Sequence, residues 1–143
     1  MNVEAILRTK GRSVVTIGAE ATIEEAVSLL RRKGIGAVVV SADGAGVDGI
    51  LSERDIVHAL ADRGAGLLQL PVAALMTREV FTCGPTDGIA ELMAEMTERR
   101  IRHLPVLEHG RLAGIVSIGD VVKNRLDEVE DEASSLRQFI ASA

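Results

Sequence analysis

Two short stretches decide the fold: Gly49-Ile-Leu-Ser-Glu-Arg-Asp55 and Gly114-Ile-Val-Ser-Ile-Gly-Asp120. They share Gly, Ile, Ser and Asp at fixed positions, 65 residues apart. Further towards the N-terminus a single slip takes the offset to 66. Val15-Thr16 then falls on Phe81-Thr82, Gly18 on Gly84, Ile23 on Ile89, Glu25 on Glu91, Ile35 on Ile101 and Val40 on Val106. A register held over about forty residues with one slip is a tandem duplication, and it governs everything read afterwards.

Each copy carries the same series of signals. A short extended piece (Ser13–Ile17; Val80–Cys83) leads to a turn and an amphipathic helix. In the first copy Thr22-Ile-Glu-Glu25 is a capping box, with Ile23, Ala26, Val27 and Leu30 on one stripe. In the second, Asp87 is the expected cap of a helix carrying Ile89, Leu92, Met93 and Met96. The apolar runs Gly36–Val40 and Leu104–Leu107 suit strands buried on both faces. Gly44-Ala-Gly46 and His109-Gly110 mark hairpin turns. A third strand (Val47–Leu51; Leu112–Val116) follows, and a second helix opens at Ser52 or Ser117. The order predicts an α/β (α+β) fold of two β-α-β-β-α units.

A unit of roughly 50 residues buries too little surface to stand alone, so the copies are expected to pack sheet against sheet about a pseudo-twofold axis. The linker Arg63–Pro71 carries Gly64 and Gly66, and Val72–Met76 makes a short helical lead-in to the second copy, as Val3–Leu7 does to the first. The expected domains are therefore 1–66, 67–126 and a helical extension over 127–143. In that extension Val122, Leu126, Val129, Ala133, Leu136 and Ile140 recur at alternating spacings of four and three. Such a seam fits a helix lying on its own domain or one pairing across a homodimer.

Composition narrows the function classes. The chain has 143 residues, 47% of them hydrophobic, with two Phe and no Trp or Tyr. Mean hydropathy is +0.23, so the chain fills a core, and the core is aliphatic. The scarcity of aromatic faces and a net charge of −5 argue against nucleic acid and against an anionic membrane surface. No stretch approaches 18 continuous apolar residues, and the first twelve lack a signal-peptide core. The expectation is a soluble, cytoplasmic protein. The single Cys83 reads as a small buried thiol.

The repeated Gly-x-x-Ser-x-x-Asp has two readings. Ser at the N-cap with an acid three residues on is a helix start that needs no ligand. The same geometry offers free N–H groups and a partial positive charge to a phosphate. Asp55 or Asp120 would then accept ribose hydroxyls, as an acid does in dinucleotide-binding folds. Duplication, in a chain with little other organised polarity, favours the ligand. Arg102-His103 open a buried strand, where unpaired charge is costly. They either turn outward to surface carboxylates such as Glu98 or form an anion clamp. The equivalent positions in the first copy are Gly36 and Ala37, so two sites would be unequal. No catalytic constellation is visible: His58, His103 and His109 lack metal-ligand spacing, and there is no nucleophile elbow or Walker loop. The expectation is a protein that is not an enzyme.

Taken together, the repeat order, the doubled motif and Arg102-His-Leu-Pro-Val106 resemble a pair of CBS domains (a Bateman module) over about residues 1–126. The resemblance is greatest to small stand-alone bacterial proteins made of one such pair. It implies binding of adenosine ligands between the repeats, AMP first, with ADP, ATP and NAD(H) as others. It also implies disc-like homodimers and a regulated protein target on a separate chain. By position it puts ribose recognition on Asp55 and Asp120 and phosphates beside Ser52 and Ser117. Asp55 would face Arg102 and His103 in the first cleft. Thr16, Ile17, Thr82 and Cys83 would line adenine slots, with Arg54 and Pro105 in the same ligand-lining set. A second cleft would pair Asp120 with Gly36 and Ala37. The competing expectation is an interaction module whose motifs only cap helices and whose C-terminal heptads bind a partner.

Overall fold

A computed structural model describes residues 1–142; Ala143, the last residue of the expected C-terminal extension, lies outside the described residues. Helix α1 (Val3–Lys10) leads into the first repeat, which runs β1 (Thr16–Ile17), α2 (Ile23–Lys33), β2 (Ala37–Val40), β3 (Gly49–Ser52) and α3 (Glu53–Arg63). Two 3-10 turns, Gly64–Gln69 and Val72–Ala74, form the linker. The second repeat runs α4 (Ile89–Arg99), β4 (His103–Glu108), β5 (Arg111–Ser117) and α5 (Ile118–Ser142).

Local chemistry accounts for most boundaries. At the start of α2 the Thr22 N–H donates to Glu25 Oε2 at 3.0 Å and the Glu25 N–H to Thr22 Oγ1 at 3.2 Å, the expected capping box. The cap expected at Asp87 is not made: α4 begins at Gly88 without a side-chain cap. The Asp87 carboxylate accepts the Gly84 N–H at 2.8 Å instead, a local turn that competes successfully for the same oxygen. Helix α2 ends on Gly34 in the left-handed region, whereas α4 ends on Arg100 at φ 55°.

Strand β1 pairs parallel with β2, and β2 antiparallel with β3, with Ala37 opposite Ser52. In the second repeat β4 and β5 pair antiparallel, with His103 opposite Ser117. The β4–β5 turn has φ of 53° at His109 and 74° at Gly110, the two positive values a tight hairpin requires. The extended pieces are shorter than expected. Ser13–Ile17 contracts to two residues, because only Val39 and Val40 of β2 face it. Val80–Cys83 contracts to a single parallel bridge between Cys83 and Val106. There the Cys83 N–H donates to Pro105 O at 3.0 Å and the Leu107 N–H to Cys83 O at 2.8 Å.

The lead-ins cross over between the copies. Val3, Ile6 and Leu7 of α1 are buried with Cys83, Ile89, Leu92, Met96, Leu104, Val106, Val116 and Val121, the core of the second repeat. Leu67 and Val72 are buried with Ile23, Ala26, Leu30, Val38, Val40 and Leu51, the core of the first. Each lead-in thus closes the other copy. The exchange is symmetric: the Val3 N–H donates to Asp87 O at 2.9 Å, and the Val72 N–H donates to Ala21 O at 2.7 Å. Bridges Asn2–Gly88 and Thr22–Pro71 repeat the match. The buried residues fall in two clusters, one per repeat, and each is completed by the crossing segment. A Cβ at Gly114 would lie 2.6 Å from Leu7 Cδ2, and one at Gly49 2.8 Å from Met76 Sδ. The Gly of the repeated motif is where the crossing segment presses on the strand.

Of the two readings of the C-terminal helix, the structure shows packing on its own repeat only at the start, where Val121 is buried and Ile118 partly buried. Val121 is the one buried residue among the described residues of α5, and α3 has none. Leu126 is 64% exposed, Leu136 59% and Ile140 66%, so the heptad seam faces away from the body. No described helix is long and apolar enough to cross a membrane.

Candidate ligand-binding cleft

The handover from β3 to α3 sets the first repeat's motif at the mouth of a recess. The Ser52 N–H and hydroxyl donate to Asp55 Oδ2 at 2.9 and 3.1 Å, and the Asp55 N–H returns to Ser52 Oγ at 3.3 Å. This reciprocal box keeps the carboxylate half-buried and fixed at the helix start. From the second repeat, the link between α4 and β4 brings Arg100, Ile101, Arg102 and His103 to the opposite wall. Arg54 crosses between them, its guanidinium 3.4 Å from Arg100 O.

The recess has a volume of about 300 Å³, at the lower end of small-molecule sites. It brings together Gly36, Ser52, Arg54, Asp55, Arg102 and His103 from the expected set. Arg102 is exposed and His103 half-buried, and neither has an ion pair to Glu98 or another carboxylate among the described residues. His103 is held below its ordinary pKa, first by burial and then by the Lys10 and Arg102 charges, with Glu53 and Asp120 opposing. Burial therefore favours the neutral form of this imidazole.

Other expected residues fall elsewhere. Thr16 and Ile17 are half-buried in β1, paired with Val39 and Val40. Thr82 is exposed and Cys83 belongs to the second core. Burial, with Asp87 and Glu95 nearby, pushes the Cys83 thiol up to about 12. Pro105 is buried in β4 opposite Ile115. Ala37 is buried in β2, and Gly36 belongs to the Asp55 recess, where a Cβ on it would meet His103 at 3.4 Å. Ser117 and Asp120 form the matching cap, the Ser117 N–H donating to Asp120 Oδ2 at 2.9 Å. That same oxygen accepts Lys10 Nζ at 2.7 Å.

The recess also has walls that the sequence reading did not name: Glu53, Thr77, Glu79, Val80 and Phe81. Phe81 is one of two aromatic residues in the chain. Arg99 covers one side of its ring, 3.9 Å from the centroid, a cation–π contact that steadies an exposed ring. Among the described residues no group of three His, Cys, Asp or Glu side chains is placed to hold a metal ion.

A family model described as "CBS domain" matches residues 3–62 and again 72–127. A crystal structure of a CBS-domain containing protein from Agrobacterium tumefaciens is 51% identical, with a TM-score of 0.84 over 87% of this chain and 99% of that one. The CBS domain-containing protein YhcV of Bacillus subtilis is 31% identical over 128 residues, 90% of this chain and 89% of the relative. A CBS domain protein of Pyrobaculum aerophilum, solved complexed with AMP, is 28% identical, with a TM-score of 0.74 over 84% of this chain and 89% of that one.

Proposed function

The chain belongs to the CBS-domain family, as a pair of such domains, and from that premise we propose that it is a non-catalytic sensor binding an adenosine nucleotide. The observation that carries this reading is the convergence of Asp55 with Arg102 and His103 on one recess of about 300 Å³. A carboxylate suits a ribose diol, and a guanidinium with a protonatable imidazole suits a phosphate. The apolar wall of Val80 and Phe81 suits a base. The small volume favours a mononucleotide, AMP first, over ADP, ATP or NAD(H). The AMP complex of the Pyrobaculum relative supports the ligand class.

The reading extends to a homodimer. Val57 and Leu60 on α3, and Val122, Leu126, Val129, Leu136, Phe139 and Ile140 on α5, are exposed apolar side chains on two helices that bury almost nothing in their own chain. Helices of this kind are stable once their apolar stripe is covered. Because α3 starts at the Asp55 cap, a ligand on that cap is positioned to alter the packing of the same helix across the dimer. Titration calorimetry of ligand-free protein with AMP, ATP and NADH tests the reading. Binding of AMP in the micromolar to millimolar range supports it, and no heat from any of the three refutes it.

A further inference from the structure

Helix α5 runs for 25 residues, Ile118–Ser142, and only its first part belongs to the body. Val121 is buried and Ile118 partly buried in the second core. The Met1 ammonium donates to Glu128 Oε2 at 2.8 Å. Among the described residues, no side chain of α5 beyond Glu128 bonds to another element. What remains is a helical arm roughly 20 Å long. A lone helix of that length is marginal in water, and its apolar stripe of Leu126, Val129, Leu136 and Ile140 is exposed.

The stripe has the phase of a coiled coil. With Leu126, Ala133 and Ile140 at the a positions and Val122, Val129 and Leu136 at d, the flanking e positions hold Lys123, Glu130 and Arg137. The g positions hold Arg125, Glu132 and Phe139. In a parallel, in-register pair each g residue faces the e residue five places further along the other helix. Glu132 then meets the partner's Arg137, and Arg125 meets the partner's Glu130, each contact occurring twice about the two-fold axis. An antiparallel pair overlapping the whole stripe sets Glu130 against the partner's Glu130 and Glu132 against the partner's Glu132. It also sets Lys123 against the partner's Arg137, so that like charges meet at every one of these places.

The helix cannot satisfy these charges within itself. Residues 127–143 carry acids at 127, 128, 130, 131 and 132 and one cation, Arg137. Neither Glu132 nor Arg137 is ion-paired among the described residues, whereas Arg125 is held by Glu128 on its own helix. A second copy of the same helix supplies the apolar face and the opposite charge at matching heights, which identifies the occupant of the stripe.

We propose that residues 126–140 of α5 zip against the same residues of a second copy as a parallel, in-register two-stranded coil, so that both copies point the same way along the helix. This deepens the homodimer reading above, on which it rests, by fixing the orientation, and it is independent of the nucleotide.

Sedimentation of the full chain tests it, with Glu132→Arg and Arg137→Glu measured singly and as an equimolar mixture. Both positions are exposed, so folding is not at stake. Each single variant places like charges at both 132–137 contacts of its own dimer and should raise the dimer dissociation constant about tenfold. The mixture should recover the wild-type value, because a mixed dimer again pairs opposite charges at both contacts. Leu136→Cys should link to its own copy on oxidation, since 136 faces 136 in this register but 126 in the antiparallel one; the native Cys83 is buried. Three results overturn the proposal while leaving the dimer standing: single variants as tight as wild type, a mixture no tighter than its components, or Leu136→Cys linking more readily to Leu126→Cys than to itself. A monomeric wild type refutes the dimer reading, and this proposal with it.

Discussion

Asp55 Oδ2 already accepts two hydrogen bonds from Ser52, which leaves Oδ1 for a ligand, since a carboxylate offers about four lone-pair sites. Capping and binding are therefore compatible in one residue, and mutation separates them. Ser52→Ala should cost about 1 kcal/mol of stability, read from urea unfolding, whereas Asp55→Ala should cost a similar amount and also weaken nucleotide binding at the first recess. His103 gives a pH signature. Its folded pKa is depressed below 6.5, so the unfolded chain binds the extra proton more readily. Stability is then unaffected above 6.5 and declines as pH falls through 6.5 towards the folded value. A phosphate beside the imidazole reverses that preference. AMP affinity should thus rise from pH 8 to pH 6 more steeply in wild type than in His103→Gln, the ligand's own titration being common to both. Equal slopes would remove His103 from the clamp. The Ser–Asp boxes were legible in the sequence because capping is an interaction across three residues. Lys10 was not, because its partner lies 110 residues away, and a lysine near a helix end reads first as complementing the helix dipole.

The helices and lead-ins show where pattern suffices and where it does not. Helix positions follow from caps and apolar stripes, and the hairpin at His109-Gly110 follows from turn chemistry. Periodicity reports that a segment has an apolar face, but it does not say which core receives it. Proximity in sequence attaches Val3, Ile6 and Leu7 to the first repeat, yet they close the second. The hint available was the pair Gly49 and Gly114, which interrupt buried strands at the points where Met76 and Leu7 approach. Leu7→Ala should cost about 2–5 kcal/mol. In hydrogen exchange the loss of protection should appear in α4, β4 and β5 before it appears in α2 and β2. Protection lost first around residues 23–51 would contradict the crossed packing. For α5, Leu126→Asp places a charge in the centre of the exposed stripe and should convert a dimer to a monomer in sedimentation, with both α/β repeats still folded. A wild-type monomer at micromolar concentrations would contradict the dimer reading.

At the scale of the whole molecule, the duplication produces two similar caps and the differences between the copies set different charges around them. The first has Arg102 and His103 facing Asp55 across an open recess; the second has Asp120 held by Lys10. The fold class, the repeat order and the Arg102-His103 half of this asymmetry were readable from the residues, because they depend on identities at matched positions. The walls formed by Glu79, Val80 and Phe81 were not, since they depend on how the link after Met76 turns away from the strand it was expected to join. The central claim is that Asp55, Arg102 and His103 form one adenosine-nucleotide site, and calorimetry with AMP on wild type and Asp55→Ala tests it most directly. The account predicts saturable AMP binding to the wild type, weakened at least tenfold by the loss of hydrogen bonds to a charged acceptor in the variant. Identical isotherms for the two proteins, or no binding to the wild type, would contradict it.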